Sequence, residues 1–223
     1  MHAVSIVIPV WNEEKNIPML VQRIDNSLRE HHILYEIIFV DDHSVDKTPE
    51  IIKKFSKKYP ISFYIKQGNK GKSYSLAEGF EKAQYQTIAM LDADLQYPPE
   101  ALPEFLKKIQ EGANVVVANR KQYKVSTFRK FISSAFKFLF GKLLFGLHHD
   151  VQAGFKMFTK EVYETVHFNP STGWAFDLEF LHRAKQAGYS IKNCDITFEK
   201  RQNGESKISF VKASWEIGMN ALQ

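Results

Sequence analysis

Thr87 to Glu100 reads TIAMLDADLQYPPE, an apolar run that stops on two aspartates one residue apart. Thr87–Leu91 is short and apolar, as expected of a strand buried on both faces. Asp92, Asp94 and Gln96 follow at alternate positions, ahead of a double proline at Pro98 and Pro99. In extended geometry alternate side chains point the same way, so two carboxylates and an amide oxygen would share one side of the strand's exit. Such a set suits a hard divalent cation, Mg2+ or Mn2+. It also suits a turn that caps the helix after the prolines, because aspartate accepts the free N–H groups of a helix start. The rest of the chain has to decide between these readings.

On both sides of this stretch, strand-like and helix-like runs alternate. VSIVIPV (Val4–Val10), YEIIFVDD (Tyr35–Asp42), ISFYIKQ (Ile61–Gln67) and NVVVANR (Asn114–Arg120) read as strands. From Glu14 to Arg29, Ile17, Leu20, Val21, Ile24 and Leu28 recur at helical spacing. TPEIIKKFSKKY (Thr48–Tyr59), SYSLAEGFEKA (Ser73–Ala83) and PPEALPEFLKKIQEG (Pro98–Gly112) read as further helices, the last opened by proline and closed by Gly112. This alternation predicts an α/β fold: a mostly parallel sheet flanked by helices. Ligands of such sheets bind at the carboxyl ends of the strands. Three successive carboxyl ends carry polar groups here: Trp11-Asn12-Glu13, Asp41-Asp42 and Asp92-Ala93-Asp94.

The second half changes character. Ser126–His149 is aromatic and basic; strand-like DVQAGFKMF (Asp150–Phe158), helix-like FDLEFLHRAKQAG (Phe176–Gly188) and strand-like IKNCDITFEK (Ile191–Lys200) follow it. As a helix, Phe128–Leu139 gathers Phe131, Ile132, Ala135, Phe138 and Leu139 on one side and Arg129, Lys130 and Lys137 on the other. That is the composition of an interfacial helix, although burial against the sheet accounts for an apolar face as well. With no repeat and no low-complexity linker, one domain over 1–223 is expected. Its 1–120 half would bind a nucleotide and its 121–223 half an acceptor.

Composition bounds the setting. The 223 residues are 44% hydrophobic and 25% charged, ordinary for a globular protein with a substantial core. The single cysteine, Cys194, rules out an internal disulfide and fits a reducing compartment. A formal charge of +5 suits phosphates or a membrane surface and is too small to imply nucleic acid. No run reaches the roughly 18 to 20 apolar residues of a spanning helix, and the first residues lack a basic n-region. A cytoplasmic location, peripheral on the cytoplasmic face of a membrane, is the expectation. His31-His32 and His148-His149 lack partners at zinc-site spacing and read as solvated.

The motifs VSIVIPVWNEE, FVDDHSVDKT, GNKGKSYSLAEGF and LDADLQYPPE occur in that order, followed by DVQAGFKMF and WAFDLEFL. Together they resemble the GT-A family-2 glycosyltransferases, in the polyprenyl-phosphate (dolichyl-phosphate) hexosyltransferase branch, from about Val4 to Lys207. The resemblance implies the metal reading for Asp92, Asp94 and Gln96, with Ala93 beside the donor. It implies a nucleoside pocket lined by Pro9, Trp11 and Glu13, with Asp41 and Asp42 accepting from the base. Turn stabilisation involving Ser44 and Asp46 is the structural alternative for those two acids. Asn69 and Lys72 would approach the nucleotide end of the donor, and Asp150 and Gln152 its sugar. Asp177, with Glu179, would be a general base in relatives with hydroxyl acceptors; two acids at a helix start are also favourable by themselves. Arg120, Arg129, Arg201 and Lys207 are the expected cations of the reaction, Arg201 and Lys207 flanking Gly204.

The chain departs from the family pattern in several places. It has GKSYS and QYQT where Gly-Lys-Gly and Gly-Asp are common, Ala153 where the family has Cys, and His43 where many members have Gly. Neither Gly-x-x-x-x-Gly-Lys-Ser/Thr nor Gly-x-Gly-x-x-Gly occurs, which argues against ATPase and dehydrogenase activity. The function implied is inverting, metal-dependent transfer of a hexose from a nucleotide diphosphate sugar to a polyprenyl phosphate. UDP-glucose is the preferred donor on DVQAGFKMF and WAFDLEFL, with GDP-mannose or a hydroxyl (polysaccharide) acceptor as alternatives.

Overall fold

The computed structural model describes residues 2–122, 149–151, 153–167, 169–171 and 176–201. Arg129, Gln152, Lys207 and the 126–148 stretch lie outside the described residues. Within them runs a seven-stranded sheet. β1 (Ala3–Val10) lies between β2 (Leu34–Asp41) and β4 (Thr87–Met90), parallel to both, and β3 (Ile61–Ile65) extends β2 in parallel. β6 (Lys156–Thr159) runs antiparallel between β4 and β5 (Val115–Gln122), and β7 (Ile191–Thr197) closes the far edge parallel to β5. The order is therefore β3-β2-β1-β4-β6-β5-β7.

That order places the site. Successive connections step outward from β1 to β3, and the chain then returns to β4 on the other side of β1. The strand order reverses at the β1/β4 boundary, and such a switch point opens a crevice at the carboxyl edge. Being antiparallel, β6 brings its first residue, Lys156, to that same edge, where it pairs with Met90 and Val117.

Helices form where the apolar spacing is helical. α1 (Ile17–Glu30) starts at Pro18 in its first turn and buries Ile17, Leu20, Val21, Ile24 and Leu28, the stripe read from the sequence. α2 (Thr48–Phe55) stops short of the expected Tyr59, whose ring instead folds back to stack on Phe55 at 5.8 Å. α3 is Lys72–Glu81; a 3-10 turn at Pro99–Ala101 leads into α4 (Leu102–Gln110). The strand expected over Asp150–Phe158 begins only at Lys156, and α5 (Lys160–Val166), which the sequence reading did not anticipate, follows it directly. α6 is Phe176–Gln186. Between sheet and helices, Phe105 stacks on Phe155 at 4.0 Å and Phe158 meets Phe80 and Phe180 at 5.2 and 4.8 Å. Each such fully buried side chain contributes about 1.5–3 kcal/mol.

Candidate active site

The β1–α1 and β2–α2 turns are laced together at the carboxyl edge. Asn12, at φ +54, accepts from the Val45 N–H (2.8 Å) through its side chain and donates its own N–H to Ser44 Oγ (2.9 Å). Glu13 N–H donates to Thr48 Oγ1 (2.8 Å), while its carboxylate accepts from Asn16 Nδ2 (2.6 Å). Trp11 stands out of this frame, 47% exposed, with Pro9 half-buried on β1 beneath it. Asp41 is buried and receives both the N–H (3.1 Å) and the hydroxyl (2.5 Å) of Ser44. Asp46 accepts from the N–H groups of Thr48 (2.9 Å) and Glu14 (3.2 Å). Turn stabilisation, the alternative weighed for these acids, is thus present in the geometry.

Past β4 the chain is not extended. Ala93 and Asp94 lie in a turn and Leu95 takes a left-handed φ of +62, so the alternation expected over Asp92–Gln96 is broken. A turn nevertheless leaves both acids at the edge. Lys72 Nζ lies 2.5 Å from Asp92 Oδ1, and Arg201 Nη2 lies 2.5 Å from Asp94 Oδ2. Gln96 donates its backbone N–H to Asp94 Oδ1 (3.1 Å) and receives the Glu199 N–H on its carbonyl (2.8 Å). Gly154 packs against Asp92 so tightly that a Cβ there would sit 2.0 Å from the carboxylate, and its N–H donates to Tyr97 Oη (2.7 Å).

The neighbouring strand ends repeat the pattern. Arg120 grips Asp150 with Nε and Nη2 at 2.6 and 2.8 Å and lies 5.3 Å from the centre of the Phe198 ring. Lys156, fully buried, donates to the Ala153 carbonyl (2.5 Å) and contacts Asp177 at the start of α6. Lys66, also fully buried, lies 2.5 Å from Asp42 Oδ1. Asn69 is exposed on the loop before α3. Among the described residues, then, each of five acids at this edge has a basic partner. Lys66, Lys156 and Tyr97 were not singled out from the sequence. The one signal the two lysines gave was their place inside or at the end of an apolar strand, where a lysine must be paired if it is buried.

The charges bias one another. Burial and then the adjacent Asp92 raise the Asp94 carboxyl above its ordinary value, against the pull of Arg201. Burial pushes Lys72 down, but Asp92, Asp177 and Asp94 outweigh it and raise its ammonium. Burial raises Asp177, opposed by Lys156 and Lys72, and lowers Lys156, opposed by Asp177. Asp92 and Asp94 lie close enough to bias each other, and two carboxylates side by side suit a hard divalent ion. Among the described residues no cluster of three or more acidic, histidine or cysteine side chains could hold such an ion by itself, so Asp92 and Asp94 would serve as its carboxylate ligands only with oxygens of other kinds completing the shell.

The sequence pattern of glycosyl transferase family 2 matches residues 5–176, the span from β1 to the first residue of α6. The chain belongs to glycosyl transferase family 2. This family-2 chain is 35% identical over 213 residues to a dolichol-phosphate mannosyltransferase of Pyrococcus furiosus, covering 92% of the chain and 59% of that relative. It is 31% identical over 222 residues to a dolichyl-phosphate beta-glucosyltransferase of Trichomonas vaginalis, covering 92% of the chain and 68% of that relative. Both belong to the branch that the motifs resemble. Its fold is shared with glucosyl-3-phosphoglycerate synthase of Mycobacterium tuberculosis, a structure solved with Mn2+ and UDP-glucose. There the TM-score is 0.71 at 14% identity, over 99% of this chain and 77% of that one. It is shared also with mannosyl-3-phosphoglycerate synthase of Rubrobacter xylanophilus, TM-score 0.75 at 16% identity, over 99% and 73%. Among the described residues of the family-2 chain no helix is long and apolar enough to cross a membrane.

Proposed function

We propose that this chain transfers a hexose, with inversion and in a single displacement, from a nucleotide diphosphate sugar to a polyprenyl phosphate. The observation that carries the reading is the adjacent pair Asp92 and Asp94 at the switch point, each with a cation already beside it. The Pyrococcus and Trichomonas relatives supply the acceptor class. Asp92, Asp94 and Gln96 would hold Mg2+ or Mn2+, which supplies charge neutralisation to the departing nucleoside diphosphate. Lys72 and Arg201, beside Asp92 and Asp94, would take up phosphate oxygens. Pro9, Trp11 and Glu13 would line the nucleoside pocket, and Arg120, Arg129 and Lys207 would help hold the acceptor. UDP-glucose is the donor we propose; GDP-mannose is the second reading, favoured by the Pyrococcus relative. Transfer measured over a panel of UDP- and GDP-sugars, with and without polyprenyl phosphate, tests the reaction. Calorimetry that gives tight GDP binding and none for UDP would reverse the choice of donor.

A phosphate acceptor has a second pKa of about 6 and is mostly dianionic at neutral pH. It needs cations to approach another anion and little help from a base. Arg201→Ala is therefore expected to cost more than Asp177→Asn. A lost charged hydrogen bond of about 1.5–3 kcal/mol corresponds to roughly 10- to 100-fold in kcat/KM. Steady-state transfer to the lipid phosphate by both variants is the measurement. The opposite order, with an acid limb that disappears in Asp177→Asn, would assign the enzyme to a hydroxyl acceptor.

The aromatic, basic stretch Ser126–His149 would seat the enzyme on the membrane surface, where a polyprenyl phosphate presents its head group. Vesicle flotation should then show binding that strengthens on anionic lipid and weakens with salt. Flotation that is absent on anionic vesicles at low salt removes the membrane from this reading.

A further inference from the structure

Lys66 follows β3 and is wholly buried. A buried ammonium is costly unless it is paired, and this one has an ion-pair partner and a hydrogen-bond acceptor in neighbouring turns. Its Nζ lies 2.5 Å from Asp42 Oδ1 and donates to the Gly71 carbonyl at 3.0 Å. The other oxygen of Asp42 accepts the Gly71 N–H at 2.9 Å. Both polar groups of the Gly71 backbone are thus held by one ion pair, and Lys66 is itself anchored by its N–H on the Asp41 carbonyl (3.0 Å). Gly71 sits at φ +132, where any residue with a side chain would be strained. The next residue is Lys72, the first of α3, whose ammonium reaches Asp92. The residues between, 67–70, are exposed, and the N–H groups of Gln67 and Gly68 tie that loop to Glu78 of α3; the ion pair lies beneath them at the start of the helix.

We propose that Lys66 is a positioning residue for the donor diphosphate: through Asp42 and Gly71 it fixes Lys72 at the site without touching ligand. The inference rests on the donor-binding role given to Lys72 above. It gives Asp42 a structural duty in the turn, so Asp42 and Lys66 should behave as one unit.

Three variants test it: Lys66→Met/Asp42→Asn, which leaves neither charge buried alone, Lys72→Met, and the triple combination. Binding of UDP and of GDP, each with Mn2+, is measured by calorimetry, and exchange of the Gly71 and Lys72 amides by NMR. The double variant is expected to fold, to bind the preferred nucleotide at least tenfold more weakly, and to exchange those two amides faster with the sheet unchanged. The triple variant should bind no more weakly than Lys72→Met, because groups that act through one another do not add. Wild-type affinity in the folded double variant, independent losses that multiply in the triple, or a double variant that does not fold each overturn the proposal. If the wild-type protein binds neither nucleotide, the donor reading has failed on its own. Amide exchange then still decides whether Lys66 positions Lys72: faster local exchange supports it and unchanged exchange overturns it.

Discussion

Asp94→Asn is expected to slow transfer about a thousandfold while leaving the protein folded and no less stable. The loss follows from the place of Asp94 beside Asp92, where it is one of two carboxylates available to a divalent cation. Charge stabilisation of a leaving group is worth several kcal/mol, and each 1.36 kcal/mol is a factor of ten in rate. The retained stability follows from the same geometry. The Asp94 carboxyl is raised by burial and by Asp92, so in the metal-free protein its ionised form is held at a cost. A raised folded value means a contribution to stability that is complete below the ordinary aspartate pKa and lost as pH rises through the folded one. Asparagine does not ionise and keeps what aspartate loses. The melting temperature of the variant relative to wild type should therefore climb across that acidic window and stay level above it. Transfer kinetics, Mn2+ titration and melting against pH check the three parts. Transfer within threefold of wild type, with an unchanged Mn2+ titration, would falsify the role given to Asp94.

Much of this site was legible in the sequence because its acids end apolar runs. A strand that is core up to Met90 and polar from Asp92 can face only one way in a sheet with helices on both sides, so the carboxyl edge could be read from period alone. Two features escaped for physical reasons. The four residues of β6 carry no period, and nothing local distinguishes an antiparallel insertion from another parallel strand. The exit of β4 was read as extended, whereas Leu95 buries its side chain by taking a left-handed φ, a choice made by packing and not by propensity. Lysines gave the least warning. Lys66 and Lys156 look like the solvated end and the polar position of two strands, and their carboxylate partners arrive from other elements. A buried charge is recognised by its partner, and the partner is set by the fold.

Lys156→Met should destabilise the protein by about 3–5 kcal/mol, the cost of leaving a buried carboxylate without its cation. For a chain of this size that is a fall of roughly 6–20 °C in melting temperature. Methionine fills most of the space of the lysine stem, so the loss isolates the charge. Among the described residues Asp177 would then face burial with Lys72 as the remaining cation that offsets it, and Lys72 is already paired with Asp92. Adding Asp177→Asn should recover most of the lost stability, because removing both members of a buried ion pair is often neutral. Thermal melts of the two single variants and the double variant make a complete cycle. A single variant that melts with wild type, or a double variant no better than the worse single one, would show that the two charges are not coupled. The expected recovery has a consequence for function. If the fold is as stable without the pair as with it, packing alone does not explain a cation buried at the carboxyl edge. The contact of Lys156 with Asp177 and with the Ala153 carbonyl, one residue from the Gly154 that packs on Asp92, then serves to aim the site. The double variant should be stable and slow.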